Sequence, residues 1–186
     1  SQRFDKISFR GVWGAADQYL LLDGLATGYH NHIDGNAIVQ FDQDGRTWLV
    51  ERGYHGARLR DADQHNLVTV DRPDAPGGVW PNAPVPFAAA LLSRHEDAQS
   101  ATVCTASYNV NGTDWTRQVY WQKGRFFVVL DRVTALEDGP LTITCRWRTL
   151  RKVSLEEGRF EAVQRAAPAA PADNARYPRV ASPNAD

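Results

Sequence analysis

The stretch that decides the fold runs Trp115-Thr116-Arg117-Gln118-Val119-Tyr120-Trp121-Gln122-Lys123-Gly124-Arg125-Phe126-Phe127-Val128-Val129-Leu130-Asp131-Arg132-Val133. Two runs rich in Val, Phe, Tyr and Trp flank a Lys-Gly pair, which reads as a β-hairpin. Outward from it the same grammar repeats. Asp44-Gly45 lies between the strand-like stretches Asn36–Asp42 and Arg46–Glu51, a two-residue turn signal. Asn111-Gly112 begins another turn, and Glu137–Pro140 reads as a tight connection. Further strand-like stretches are Gln18–Asp23, Leu67–Asp71, Pro86–Leu92, Ala101–Val110, Leu141–Leu150 and Arg159–Gln164. About ten short strands joined mainly by hairpins predict an all-β antiparallel fold buried as a sandwich or barrel, and we take the antiparallel two-sheet β-sandwich. The one helix candidate, Phe87–Ser93, is too short to be told from a strand by period, and we assign it as strand.

Two segments fall outside that pattern. Asp71–Pro86 holds five of the ten prolines and two consecutive glycines, the composition of an irregular surface loop. From Ala166 to Asp186, twelve of 21 residues are Ala or Pro, too little apolar surface to offset the entropy of ordering. The expected organisation is a sandwich domain over 4–164 and a disordered Ala/Pro-rich tail or linker over 165–186.

Composition narrows the function classes. The 186 residues carry 21 Lys+Arg against 22 Asp+Glu, a net charge of −1. That balance offers no basic surplus for nucleic acid or an anionic membrane. No apolar run is long enough to span a bilayer as a helix, and no signal peptide is seen in this chain. Cys104 and Cys145 are too few for a disulfide scaffold, and free thiols are expected. Methionine is absent, even at position 1, so we expect a chain trimmed or cut from a longer protein.

The chemistry-bearing residues are few. His30 and His32 form a His-Asn-His triplet ahead of a strand, and on extended backbone their side chains share a face. Glu51 follows the apolar run Trp48-Leu49-Val50, and His65-Asn66 opens the next strand. Strand ends on one rim would bring His32, Glu51 and His65 together, a donor set suited to zinc. The plainer alternatives are loop histidines capping backbone groups and a surface pair between Glu51 and Arg52, Arg58 or Arg60. A cupin-type set needs glutamate three or four residues beyond the second histidine, where this chain has Gly35 and Asn36. The tryptophans on strands read as core, with Trp80 the one expected at the surface, as are His55 and His95.

Taken in order, His30-Asn31-His32-Ile33-Asp34, then Glu51-Arg52-Gly53, then His65-Asn66, together with Arg117–Val133, this sequence resembles the C-terminal β-sandwich domain of heparinase II/III-like polysaccharide lyases. The resemblance implies a structural zinc on His32, Glu51 and His65, with Asp34 and Asn66 orienting the ligands. His30 would face the substrate cleft as the catalytic contribution of this chain. It further implies β-elimination on an acidic, uronic-acid-containing polysaccharide such as a glycosaminoglycan or alginate, in a periplasmic or secreted protein. Most of the acid–base groups would come from an α/α-toroid domain absent from this chain, so the chain alone is expected to be inactive. A sandwich parted from that domain would expose an apolar docking surface, so a homo-oligomer is also expected. The family more often carries Asp where this chain has Glu51. The alternative reading is a non-catalytic carbohydrate-binding or domain-packing sandwich.

Overall fold

The computed structural model describes residues 2–11, 14, 17–25, 34–51, 62–73, 88–149, 152–156 and 159–163. Within them lie β1 (Gln2–Arg3), β2 (Lys6–Arg10), β3 (Tyr19–Asp23), β4 (Ile38–Gln43), β5 (Arg46–Val50) and β6 (Val68–Asp71). Then follow β7 (Ala90–Glu96), β8 (Ser100–Ser107), β9 (Thr113–Gln122), β10 (Phe126–Ala135), β11 (Thr142–Cys145), β12 (Lys152–Glu156) and β13 (Arg159–Val163). A 3-10 turn at Ala62–Gln64 is the one helical segment among the described residues. The all-β, antiparallel expectation holds.

A five-stranded sheet, β1-β7-β8-β9-β10, and a four-stranded sheet, β2-β3-β4-β5, form the two layers. Their shared core takes Phe9, Leu20, Leu22 and Ile38 from one sheet and Ala101, Val103, Val119 and Trp121 from the other. Trp121 stacks on Phe127 at 5.5 Å between ring centroids, and Phe9 meets both edge-on. β6 and β11 pair separately, and a second core of Ala37, Ala62, Leu67, Val68 and Trp115 lies beside them. The chain divides into two units, Ser1–Leu150 and Arg151–Asp186, ahead of the composition change at 164/165; the β12–β13 hairpin lies in the second. The Ala/Pro-rich 165–186 lies outside the described residues, as does most of the proline-rich loop.

Local chemistry explains the turns. Gln43 pairs with Arg46 across Asp44 (φ 55°) and Gly45 (φ 68°), the paired left-handed conformations that a tight hairpin requires. The hairpin between β9 and β10 closes over three residues, Lys123 to Arg125, rather than the two that Lys-Gly suggested, since Gln122 pairs with Phe126. Asp97 turns β7 into β8 by accepting the backbone N–H groups of Gln99 and Ser100 at 2.7 Å each.

Several boundaries differ from expectation. β7 runs past Leu92 to Glu96 because it pairs along β8 as far as Ala101. β11 stops at Cys145, having only the four residues of β6 to pair with. The short β1, β2 and β12 add to the expected set; β2 shows strand alternation in Lys-Ile-Ser-Phe-Arg but stands apart from any hairpin turn signal. Both cysteines are free, with Cys104 half-buried and Cys145 exposed.

The alternation of inner and outer faces along β10, against the buried positions of β3, makes a testable statement about the layers. Leu22→Ala, which empties a site of 0% exposure in the core, should cost about 2–5 kcal/mol in urea unfolding. Leu130→Ser, on the outer face of β10 at 60% exposure, should stay within about 0.5 kcal/mol of the parent.

Candidate metal centre

Three segments end side by side. The turn leading into β4 carries Asp34, β5 ends at Val50 with Glu51 next, and the 3-10 turn Ala62–Gln64 delivers His65. Asp34 and His65 are buried and Glu51 is half-buried. One ligand atom from each of the three lies within 4.8 Å of the others. His65 Nδ1 approaches Glu51 Oε1 to 2.9 Å, so Glu51 meets an imidazole rather than ending as a surface group.

The backbone around each residue is tied down. Asn36 N donates to Asp23 O at 2.7 Å, Asp23 N to Ala37 O at 2.9 Å and Ala37 N to Asp34 O at 2.8 Å. That turn needs φ 71° at Asn36, a left-handed conformation that Asn tolerates better than most side chains. His65 N donates to Ala62 O at 3.3 Å, closing the 3-10 turn.

Asn66 is the hub of the region. It has 0% exposure, and its Nδ2 donates to Ile38 O at 2.8 Å and to Val50 O at 3.4 Å. Its Oδ1 accepts the backbone N–H of Arg148 at 2.5 Å, while its own carbonyl accepts Ile38 N at 3.0 Å. One side chain thus joins the start of β4, the end of β5 and the strand-like run after β11.

Electrostatics at the centre is dominated by carboxylates. Burial pushes the Asp34 carboxyl up to about 7, and the charges of Asp23 and Glu51 add to the rise against His65 and Lys6. Asp23 itself is buried and accepts Lys6 Nζ at 2.6 Å and Leu25 N at 3.0 Å. Two carboxylates and an imidazole in one small volume are a hard-to-borderline donor set of the kind a divalent cation takes.

Set against the sequence expectations, Glu51 and His65 come together, and Asp34, expected to orient ligands, brings its carboxylate into the same cluster. Asn66 bonds to backbone groups on three segments. His30 and His32 lie outside the described residues, as do Arg52, His55, Arg58, Arg60 and Trp80. His95 is exposed, 3.7 Å from Asp97. Trp115 and Trp121 are core. Sequence reasoning passed over Arg117 and Asp131, which the structure sets behind this centre. Their signal was parity, because Arg117 falls on the inward positions of β9 with Trp115, Val119 and Trp121.

The hub can be tested directly. Asn66→Ala strands the carbonyl of Ile38 and the N–H of Arg148 without their partner, so urea unfolding should show a loss of about 3 kcal/mol. A loss under about 0.5 kcal/mol would mean that the three segments hold together without it.

No protein-family model and no curated protein matches the chain. Solved structures do. A heparinase III (BT4657 gene product) superposes with a TM-score of 0.67 at 15% identity, over 84% of this chain and 25% of that one. A second heparinase III structure gives 0.64 at 18% identity, over 83% and 25%. A heparan sulfate lyase HepC mutant from Pedobacter heparinus gives 0.64 at 16% identity, over 82% and 24%. The chain spans about a quarter of the length of the structures it matches. It has the β-sandwich fold that this portion of the heparinase III and heparan sulfate lyase structures carries, as the ordered His-Asn-His-Ile-Asp, Glu and His-Asn motifs led us to expect.

Proposed function

We propose that this chain is the β-sandwich portion of a polysaccharide lyase that cleaves a uronic-acid-containing polysaccharide by β-elimination. The observation that carries the reading is a coincidence of fold and donors. The fold is that of heparinase III and heparan sulfate lyase structures, and within it Asp34, Glu51 and His65 converge to 4.8 Å. In this reading Glu51, His65 and His32 hold a zinc, and Asp34 supplies a further carboxylate close enough to complete a four-donor set.

The zinc is structural: when bound, it crosslinks the three segments and neutralises the carboxylates among them. Asn66 holds those segments in register through their backbones. His30, two residues before His32, faces the cleft and contacts the acidic sugar. β-Elimination needs a group that neutralises the uronate carboxylate, a base for the proton alpha to it, and an acid for the leaving oxygen. This chain furnishes one wall of that site, and an α/α-toroid domain furnishes the rest. Exposed Phe126, Val128 and Leu130, alternating along one face of β10, agree with a sandwich that packs against such a domain. The whole protein acts in the periplasm or outside the cell, where its acidic substrate is found.

Metal content decides the centre. Plasma mass spectrometry on protein purified without a histidine tag should find about one zinc per chain, and His65→Ala, Glu51→Ala and His32→Ala should each lose it. A zinc-free parent after incubation with zinc would overturn the assignment and leave a binding or packing sandwich. Joined to its toroid domain, the protein should generate the ultraviolet absorbance of an unsaturated uronate from glycosaminoglycan or alginate, and this chain alone should not.

A further inference from the structure

The most deeply buried charge in the described residues lies outside the metal cluster. Arg117, on β9, has 0% exposure. Its Nε and Nη2 grip the two oxygens of Asp131, directly opposite on β10, at 2.8 and 3.0 Å. Its remaining arm, Nη1, points across the sandwich and donates twice, to Asn36 O at 2.9 Å and to Asn66 O at 3.1 Å. Those two carbonyls belong to the segments that carry Asp34, two residues before Asn36, and His65, immediately before Asn66.

We propose that Arg117, locked by Asp131, is a positioning residue of the metal centre, a single nitrogen that fixes the spacing between the Asp34 turn and the His65 segment. The inference rests on the metal-centre reading above. The side chain is preorganised for the task from three directions. Asp131 fixes the guanidinium plane and also accepts Trp115 Nε1 at 2.9 Å. The ring of Trp115 lies 4.9 Å from the guanidinium carbon and that of Trp147 lies 5.6 Å away. Thr105 Oγ1 donates to Asn36 Oδ1 at 2.6 Å, so the residue whose backbone carbonyl Arg117 grips is also held by its side chain. A lysine here could reach one partner but could not hold a carboxylate fork and two carbonyls at once. The grip is on backbone rather than on the ligands, so it sets where the donors stand without competing for their lone pairs.

The test separates positioning from bulk stability. Zinc Kd by chelator competition would be measured on the full chain for the parent, Arg117→Lys, Asp131→Asn and Val119→Ala, each first shown to retain the parent circular dichroism spectrum. Val119 is equally buried and two residues along β9, so its truncation destabilises the same core without touching the clamp. Arg117→Lys and Asp131→Asn should weaken zinc binding by about tenfold to a hundredfold, and Val119→Ala by less than about twofold. The visible spectrum of the cobalt-loaded protein should change in Asp131→Asn and stay unchanged in Val119→Ala. Should Arg117→Lys not fold, Asp131→Asn carries the test, since it preserves the side-chain shape at a half-buried position. A parent that binds zinc alongside an Asp131→Asn variant of unchanged Kd and spectrum overturns the positioning role alone, as would equal losses in Val119→Ala. A parent that binds no zinc overturns the metal-centre reading and the positioning role with it.

Discussion

A guanidinium with no access to water constrains everything around it. Removing a charge of this kind from solvent costs several kcal/mol, and the cost is recovered only when every donor is met in good geometry. Arg117 places four of its five N–H groups this way, two on a carboxylate and two on backbone carbonyls of the opposing sheet's connections. The bidentate fork dictates that Asp131 stand opposite Arg117 in the β9–β10 register, and a one-residue slip of β10 would turn Asp131 to the outer face, away from Arg117. The carbonyl bonds dictate how far the Asn36 turn and the His65-Asn66 segment stand from the five-stranded sheet. Arg117 lies near Trp115, of the core around Leu67, and near Trp147, packed against the core around Leu22 and Trp121.

What could be read in the sequence was what local chemistry determines. The Asp44-Gly45 hairpin follows from two residues that accept positive φ, and the alternation in β9 follows from a two-residue period. Glu51 and His65 were legible as neighbours because each ends or opens an apolar run at a strand terminus, where side chains of different strands converge. The limits of β7 and β11 were not legible, because a strand stops where its partner stops and the partner is distant in sequence. Arg117 was hidden for a different reason. A cation inside a strand looks like an outward-facing residue unless its parity is checked against its neighbours. Here Trp115, Val119 and Trp121 place it inside, and Phe127, Val129 and Val133 do the same for Asp131.

Asn66, next to the candidate centre, is a folding residue by its bonds. Its side chain joins Ile38, Val50 and Arg148, so it fastens the backbone beside each element that delivers a donor. An ordered donor set needs such fastening, because ligand side chains hold a geometry only as well as the backbone beneath them. The same residue gives Arg117 its carbonyl, so strand register, core polarity and donor spacing pass through two buried side chains.

The cluster itself contains an electrostatic conflict that the fold does not relieve by distance. Asp34 and Glu51 bring carboxylate oxygens into a space under 5 Å across, with Asp23 adding a third negative charge nearby. Like charges confined away from water can be reconciled by separation, by a proton or by a cation. Separation is denied, because the Asp34 turn is clamped to Asp23 and Arg117 while Glu51 follows the end of a paired strand. A proton is one answer, and a carboxyl pushed up to about 7 at Asp34 is its signature. A divalent cation is the stronger answer, since it offsets two carboxylates at once and accepts the imidazole of His65 as a neutral donor. Proton and divalent cation are thus alternative answers at one cluster, and the backbone bonds of Arg117 and Asn66 deny it the third, separation.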